Sequence, residues 1–295
     1  MSIVVKADNV TKDYGHNRGN FGITLQVKKG EAFGLVGENG AGKSTFLRQM
    51  MGFIKSDSGS LKIYGLDAYR DAAQIKNYVG YVPGEINFPD YRTGGEFLHN
   101  YAKMVHVTDF TYSDSIIKRL QLDIRAYPKR MSKGMKQKTA IVTALMIQAP
   151  LIIMDEPTTG LDPLMRDEFL RIVLEEKARG ATIIMSSNTI EELERVCDRV
   201  ALITEGKIVD IADVNALKEK PFRDYKIEFN NREDYESFLT DNYDIRRKQP
   251  QYNQLTIRVD KNDDDALIKK LSHTSLKFFS EIPYTLKSYF DERKR

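Results

Sequence analysis

The stretch Gly37-Glu38-Asn39-Gly40-Ala41-Gly42-Lys43-Ser44 decides how the rest of this chain reads. It fits the pattern G-x-x-x-x-G-K-[ST], a loop whose backbone N–H groups curl round a phosphate. The pattern means something only between a strand and a helix. Here the apolar run Phe33–Val36 precedes it and the helical stretch Ser44–Met51 follows. The start of that helix adds positive potential where an anion would lie. In such a loop Lys43 supplies a point charge to the β- and γ-phosphates, and Ser44 offers its hydroxyl to Mg²⁺. Gly37, Asn39, Gly40, Ala41 and Gly42, with Thr45 after them, complete the expected nucleotide cradle.

A phosphate loop needs a second strand that ends in acid, and Leu151-Ile152-Ile153-Met154-Asp155-Glu156 provides one. Asp155 is placed to hold the Mg²⁺ shell. Glu156, one residue on, points differently and is placed to polarise an attacking water. Further apolar runs predict strands at Ser2–Lys6, Leu61–Ile63, Val79–Val82, Thr182–Met185, Val200–Ile203 and Lys207–Ile211, alternating with helical patterns in the manner of an α/β domain. Between Gly84 and Met135 the text turns to aromatic-rich helices, Glu96–Val105 and Asp114–Leu120, which reads as a helical insertion over about 85–135. Lys220-Pro221 marks an expected boundary, giving a first domain of 1–220 and an accessory domain of 221–295. The second shows a strand (Tyr225–Phe229), a helix (Glu233–Thr240), two strands (Ile245–Lys248, Gln254–Val259), a helix (Asp264–Leu271) and an amphipathic ending, Pro283–Arg295.

Composition narrows the setting. The 45 Lys and Arg against 42 Asp and Glu leave a net charge of +3, too balanced to argue for a nucleic-acid partner. One cysteine, Cys197, excludes an internal disulfide framework and fits a reducing compartment; it reads as a small core residue. The opening Ile3-Val4-Val5 is too short for a signal peptide, and no stretch reaches the roughly 18 apolar residues of a membrane helix. Asp260-Lys261-Asn262-Asp263-Asp264-Asp265 begins like a calcium loop, but Asp265 stands where glycine is needed and Leu271 where glutamate is. It reads as a helix N-cap run.

Several segments then converge on one family. Asp155-Glu156-Pro157-Thr158-Thr159-Gly160-Leu161-Asp162-Pro163 resembles the Walker B and D-loop segment of ABC ATPases, with Asp162 at the D-loop position. Met131-Ser132-Lys133-Gly134-Met135 resembles the family signature, commonly Leu-Ser-Gly-Gly-Gln, and Ser132 lies 23 positions before Asp155, the family's separation. Ser132 and Gly134 match; Lys133 and Met135 depart as in exporter ATPases. The resemblance covers Ser2 to about Ala212. It implies a P-loop NTPase core of the ABC ATPase type with a helical insertion, to which the residues add a small C-terminal α+β appendage. It also implies ATP and Mg²⁺ as cofactors, and a site completed in trans by the signature of a second chain, in a homodimer or a heterodimer. Tyr14 matches the adenine-stacking aromatic, with Phe21 as the alternative platform. The implied partner is an integral membrane permease encoded separately, which places the chain at the cytoplasmic face of the cell membrane.

Two positions break the family pattern. Val79-Gly80-Tyr81-Val82-Pro83-Gly84-Glu85 resembles the loop that carries a Mg²⁺-sensing glutamine, but Gly84 has no side chain there, leaving Glu85 or Asn87 to substitute. Met185-Ser186-Ser187-Asn188 has asparagine where the family usually has histidine. Both predict slow hydrolysis with ordinary ATP binding. The aromatics Phe88, Tyr91, Phe97, Tyr101, Phe110 and Tyr112 are expected to form core and, around Phe88-Pro89-Asp90-Tyr91, a groove for the permease. The ending Tyr284-Thr285-Leu286-Lys287-Ser288-Tyr289-Phe290 resembles drug and peptide exporters, including those for small amphipathic or antimicrobial peptides. Soluble ABC proteins acting on ribosomes or DNA are the competing class. The former carry two cassettes, and the latter need a long coiled coil, which the 88 positions from Lys43 to Met131 cannot hold.

Overall fold

The computed structural model describes residues 2–293, so Lys294 and Arg295 of the amphipathic ending lie outside the described residues. The chain divides into two compact units, 1–213 and 214–295.

The first unit begins with a long hairpin, β1 (Ile3–Asp13) and β2 (Gly19–Lys28), followed by β3 (Ala32–Val36), the loop 37–42 and α1 (Lys43–Met50). Then come β4 (Ser58–Ile63), β5 (Leu66–Asp67), α2 (Ala72–Ile75) and β6 (Val79–Val82). The helical insertion holds α3 (Gly94–Met104), α4 (Thr111–Arg119) and α5 (Lys133–Leu145), after which β7 (Leu151–Asp155) returns to the sheet. The unit closes with α6 (Pro163–Ala178), β8 (Thr182–Ser187), α7 (Ile190–Val196), β9 (Arg199–Thr204) and β10 (Lys207–Asp213).

Six strands form the central sheet in the order β10-β9-β3-β8-β7-β6, parallel except for the β10 hairpin. Every residue of β3, β7 and β8 is buried, as expected of parallel strands covered on both faces, and this is why they read as unbroken apolar runs. A second, antiparallel sheet runs β2-β1-β4-β5. Its strand β2 is absent from the sequence-predicted set. Its apolar residues Ile23, Leu25 and Val27 alternate with exposed ones, so no continuous run announces it. The insertion is wider than 85–135, because α5 continues to Leu145 into the core, where Ile141, Val142 and Leu145 are fully buried. Arg119 on α4 ties the insertion to α6 through Glu168 at 2.6 Å and Glu175 at 2.5 Å.

The second unit starts with α8 (Val214–Lys218), seven residues earlier than the proline at 221 suggests. It continues β11 (Phe222–Phe229), α9 (Arg232–Thr240), β12 (Asp244–Gln249), β13 (Gln254–Asp260), α10 (Asp264–Leu271), β14 (Leu276–Ile282) and α11 (Leu286–Arg293). The sheet order β12-β13-β11-β14, all antiparallel, with helices after the first and third strands, is a ferredoxin-like plait. Tyr225, Ile227 and Phe229 pack with Phe238, Leu267 and Leu271 as its core. Asp260 caps a short turn by accepting from the Asn262 N–H at 2.9 Å, ahead of α10.

Candidate nucleotide site

The site stands at the carboxyl ends of β3, β7 and β8. Pairing puts Asp155 beside Ser186 and Val36 beside Ser187, so the strands deliver their polar ends to one edge in register. The loop from Gly37 opens there, and Gly42, with φ at +103°, turns the chain into α1. A cavity of about 470 Å³ lies over this edge. Its floor is Asn39 to Thr45; Asp155 and Glu156 form one wall, Gly84 and Glu85 another, and Tyr14 stands at the rim.

Lys43 is 3% exposed, and its Nζ donates to the Gly37 carbonyl at 2.7 Å and the Glu38 carbonyl at 3.2 Å. It also lies 3.4 Å from Glu156 Oε1. The loop thus wraps its own cation and holds it at the mouth of the cradle. Ser44 Oγ donates to Asp155 Oδ1 at 3.0 Å, and Ser186 Oγ donates to the same oxygen at 2.7 Å. The other oxygen, Asp155 Oδ2, is buried and has no hydrogen-bond partner among the described residues. An orphaned carboxylate oxygen beside a serine hydroxyl is what a hard divalent cation with oxygen ligands requires. The same carboxylate, after burial itself, helps to push the Tyr81 phenol up to about 12.

Glu156 has φ at +47°, a left-handed conformation that costs a non-glycine residue on the order of 1 kcal/mol or more. Ser186 offsets this by accepting the Glu156 N–H at 2.9 Å while its proton goes to Asp155. One hydroxyl therefore sets both acids. The turn aims the Glu156 side chain into the cavity, where a quarter of it remains accessible.

Gly84 has a steric reason. A Cβ built there would stand 2.9 Å from Asp155 Oδ2, so the loop backbone approaches the carboxylate more closely than a side chain would permit. Glu85 lines the cavity, whereas Asn87 lines a neighbouring one formed with Met131, Lys133, Lys136 and Gln137. Asn188 is exposed and is not part of the cavity wall; its Oδ1 accepts only a long bond from Thr189 Oγ1 at 3.4 Å. Gly37 also lies outside the wall, packed against the Ile203 carbonyl, and Phe21 is not part of it either.

The signature residues Ser132, Lys133, Gly134 and Met135 stand apart from this chain's own cavity. Ser132 caps α5 by accepting from the Met135 N–H at 3.2 Å, so the helix begins at Lys133 with its free N–H groups forward. Asp162 does the same for α6, accepting from the Met165 N–H at 3.0 Å ahead of Pro163. Cys197 is buried, its thiol pushed up by that burial, and takes no part in the site. Of the insertion aromatics, Phe88, Tyr91 and Tyr101 gather round Phe97, Phe110 stacks on His99, and Tyr112 donates to the buried Glu176. Three cavity residues are missing from the sequence reading: Arg18 in the β1–β2 turn, Gly19 at the start of β2 and Arg48 on α1. Arg48, four positions after Ser44 on α1, is open to helical periodicity; Arg18 depends on how the hairpin folds over the loop.

The family described as ABC transporter matches residues 21–159. The linearmycin resistance ATP-binding protein LnrL of Bacillus subtilis is 37% identical over 213 residues, 70% of this chain and 68% of that protein. The bacitracin transport ATP-binding protein BcrA of Bacillus licheniformis is 33% identical over 223 residues, 75% of this chain and 73% of that one. The ABC transporter ATP-binding protein YtrB of Bacillus subtilis aligns over 299 residues at 28% identity, 98% of this chain and 94% of its own, so the likeness runs through both units. Among solved structures, an ATP-binding subunit of an ABC transporter superposes with a TM-score of 0.66 at 28% identity, covering 73% of this chain and 92% of that one. A dimeric cassette in a post-hydrolysis state bound to ADP and Pi gives 0.63 at 21% identity, over 71% and 98% of the two chains.

Proposed function

This chain belongs to the ABC transporter ATP-binding family, and from that membership we propose that it drives export of amphipathic antimicrobial compounds through a separate membrane subunit. ATP is its nucleotide and ATP hydrolysis its activity, as for the family. The observation that carries the mechanism is the meeting of Lys43, Ser44, Asp155 and Glu156 on one sheet edge within a single cavity.

In this reading Tyr14 stacks on the adenine, and the N–H groups of residues 39–45 hold the phosphates with Lys43. Ser44 and the orphaned Asp155 oxygen would hold Mg²⁺, which when bound would neutralise phosphate charge. Glu156 takes the proton of the attacking water. Binding must pull Lys43 off the Gly37 and Glu38 carbonyls and away from Glu156, freeing the base as the phosphates arrive. A second copy or a related ATPase chain presents Ser132–Met135, whose helix start, capped at Met135 by Ser132, suits a γ-phosphate. Among the described residues no helix is long and apolar enough to cross a membrane; in this reading the pathway belongs to the separate permease.

Two similar proteins are named for linearmycin resistance and bacitracin transport, and these supply the cargo class. The test isolates the tagged chain from native membranes, identifies its multi-spanning partner and reconstitutes the complex in liposomes. Bacitracin and a synthetic amphipathic helical peptide are the probes. Stimulated ATP turnover with ATP-dependent movement of either probe is expected. A complex whose turnover ignores both, or a chain found on ribosomes or DNA, overturns the reading.

A further inference from the structure

Two loops bear on the hydrolytic rim, one after β7 with Glu156 and one after β8 with Asn188. A third element, α6, begins at the D-loop residue Asp162. All three meet one carboxylate. Glu192, in the first turn of α7, is 5% exposed. Its Oε2 accepts from Thr158 Oγ1 at 2.8 Å and from Ser187 Oγ at 2.9 Å. Its Oε1 lies 3.3 Å from Arg166 Nε, close enough for an ion pair.

Each contact reaches a different part of the rim. Thr158 stands two residues after Glu156 in the turn leaving β7. Ser187 directly precedes Asn188, and its Oγ also accepts the Thr189 N–H at 2.9 Å, so the residues on both sides of Asn188 are pinned through one hydroxyl. Arg166 donates its backbone N–H to the Asp162 carbonyl at 2.9 Å, in the turn that Asp162 caps. An acid at a helix start is ordinarily there for the helix dipole, and neighbouring Glu191 stays exposed in that fashion. Glu192 instead reaches away from its own helix.

We propose that Glu192 is a positioning residue that fixes the Glu156 turn, the Asn188 loop and the start of α6 relative to one another. This rests on Glu156 and Asn188 belonging to the hydrolytic rim. Because the P-loop cradle makes no contact with Glu192, the carboxylate sets the rate of the chemical step and leaves nucleotide affinity alone.

The test compares wild type with Glu192→Gln, Glu192→Asp and Ser187→Ala in the full chain. It measures kcat and KM for ATP, ATP affinity by calorimetry and melting temperature. Glu192→Gln keeps the shape but loses the charge that two hydroxyls and Arg166 share. Loss of a charge-assisted bond predicts a fall in kcat of about 10- to 100-fold, with ATP affinity within about twofold of wild type. Ser187→Ala should give the same split at smaller size, and the double variant should be no slower than Glu192→Gln alone. Glu192→Asp, which keeps the charge, should recover part of the rate. Wild-type kcat in folded Glu192→Gln, affinity falling in step with kcat, or additive losses in the double variant would each overturn the proposal. If Glu192→Gln does not fold, Ser187→Ala decides the matter by the same split. A Glu156→Gln variant with unchanged kcat would defeat the underlying assignment of the base independently of these results.

Discussion

In the proposed reading, the residues that grip phosphate and those that bear on hydrolysis are built to different standards. Lys43, Ser44 and Asp155 sit on the ends of fully buried strands or on α1; Lys43 and Asp155 are each fixed by two or more partners, and Ser44 is held by Asp155. Gly84, Glu85 and Asn188 are exposed and belong to connecting loops. Glu156 lies on the border: its backbone is locked by Ser186, yet among the described residues its side chain reaches only Lys43, at 3.4 Å. A grip made by rigid elements keeps affinity insensitive to small changes, whereas a rim of loops makes rate the adjustable quantity.

The sharpest way to break this comparison is Glu156→Gln. Removing a general base should lower turnover by about 10² to 10⁴, while ATP still binds, because the amide leaves Lys43 and the loop in place. Rapid-quench turnover and calorimetry on one preparation check both halves; unchanged hydrolysis would remove Glu156 from the role. Lys43→Ala attacks the grip. A unit charge about 4 Å from phosphate is worth about 4 kcal/mol at an effective dielectric of 20, close to three decades in affinity. Wild-type affinity by calorimetry would show that the backbone cradle holds the nucleotide unaided.

The same division governs what could be read without a structure. The phosphate loop and the acidic strand were legible because residue type, spacing and apolar context all come from contiguous sequence. The parallel strands β3, β7 and β8 announce themselves as apolar runs, while β2 and β14 do not. β14, Leu276–Ile282, is an edge strand with most residues exposed, so Lys277 and Glu281 interrupt any pattern its phenylalanines would make. Ser186 was visible as a neighbour of Asn188, but not its double bond to Asp155 and Glu156, which depends on β7 and β8 lying side by side. Thr158, Ser187 and Glu192 are likewise up to 34 positions apart. Gly84 stands where the family carries glutamine, and the structure adds that Asp155 leaves no room for a side chain while the loop lies as it does.

Asn188→His tests the loop side by the smallest step. The position is exposed and among the described residues its carboxamide reaches only Thr189, so it has room for a larger ring. Its backbone is held between Ser187 and Thr189, so the substitution changes reach more than direction. Imidazole is longer than a carboxamide and donates through Nε2–H when neutral. One added hydrogen bond to the γ-phosphate in the transition state is worth about 0.5–1.5 kcal/mol, a rise in kcat of roughly two- to tenfold. ATP affinity should hardly move, because the cradle is untouched. Protonation adds a charge beside the phosphate and strengthens the bond, so the gain should grow as pH falls through about 6.5. The wild-type chain, with no imidazole at this position, should lack that limb. A variant no faster than wild type at any pH would mean that Asn188 already serves as well as histidine. The slow step would then lie elsewhere on the rim, with Gly84 as the remaining departure from the family.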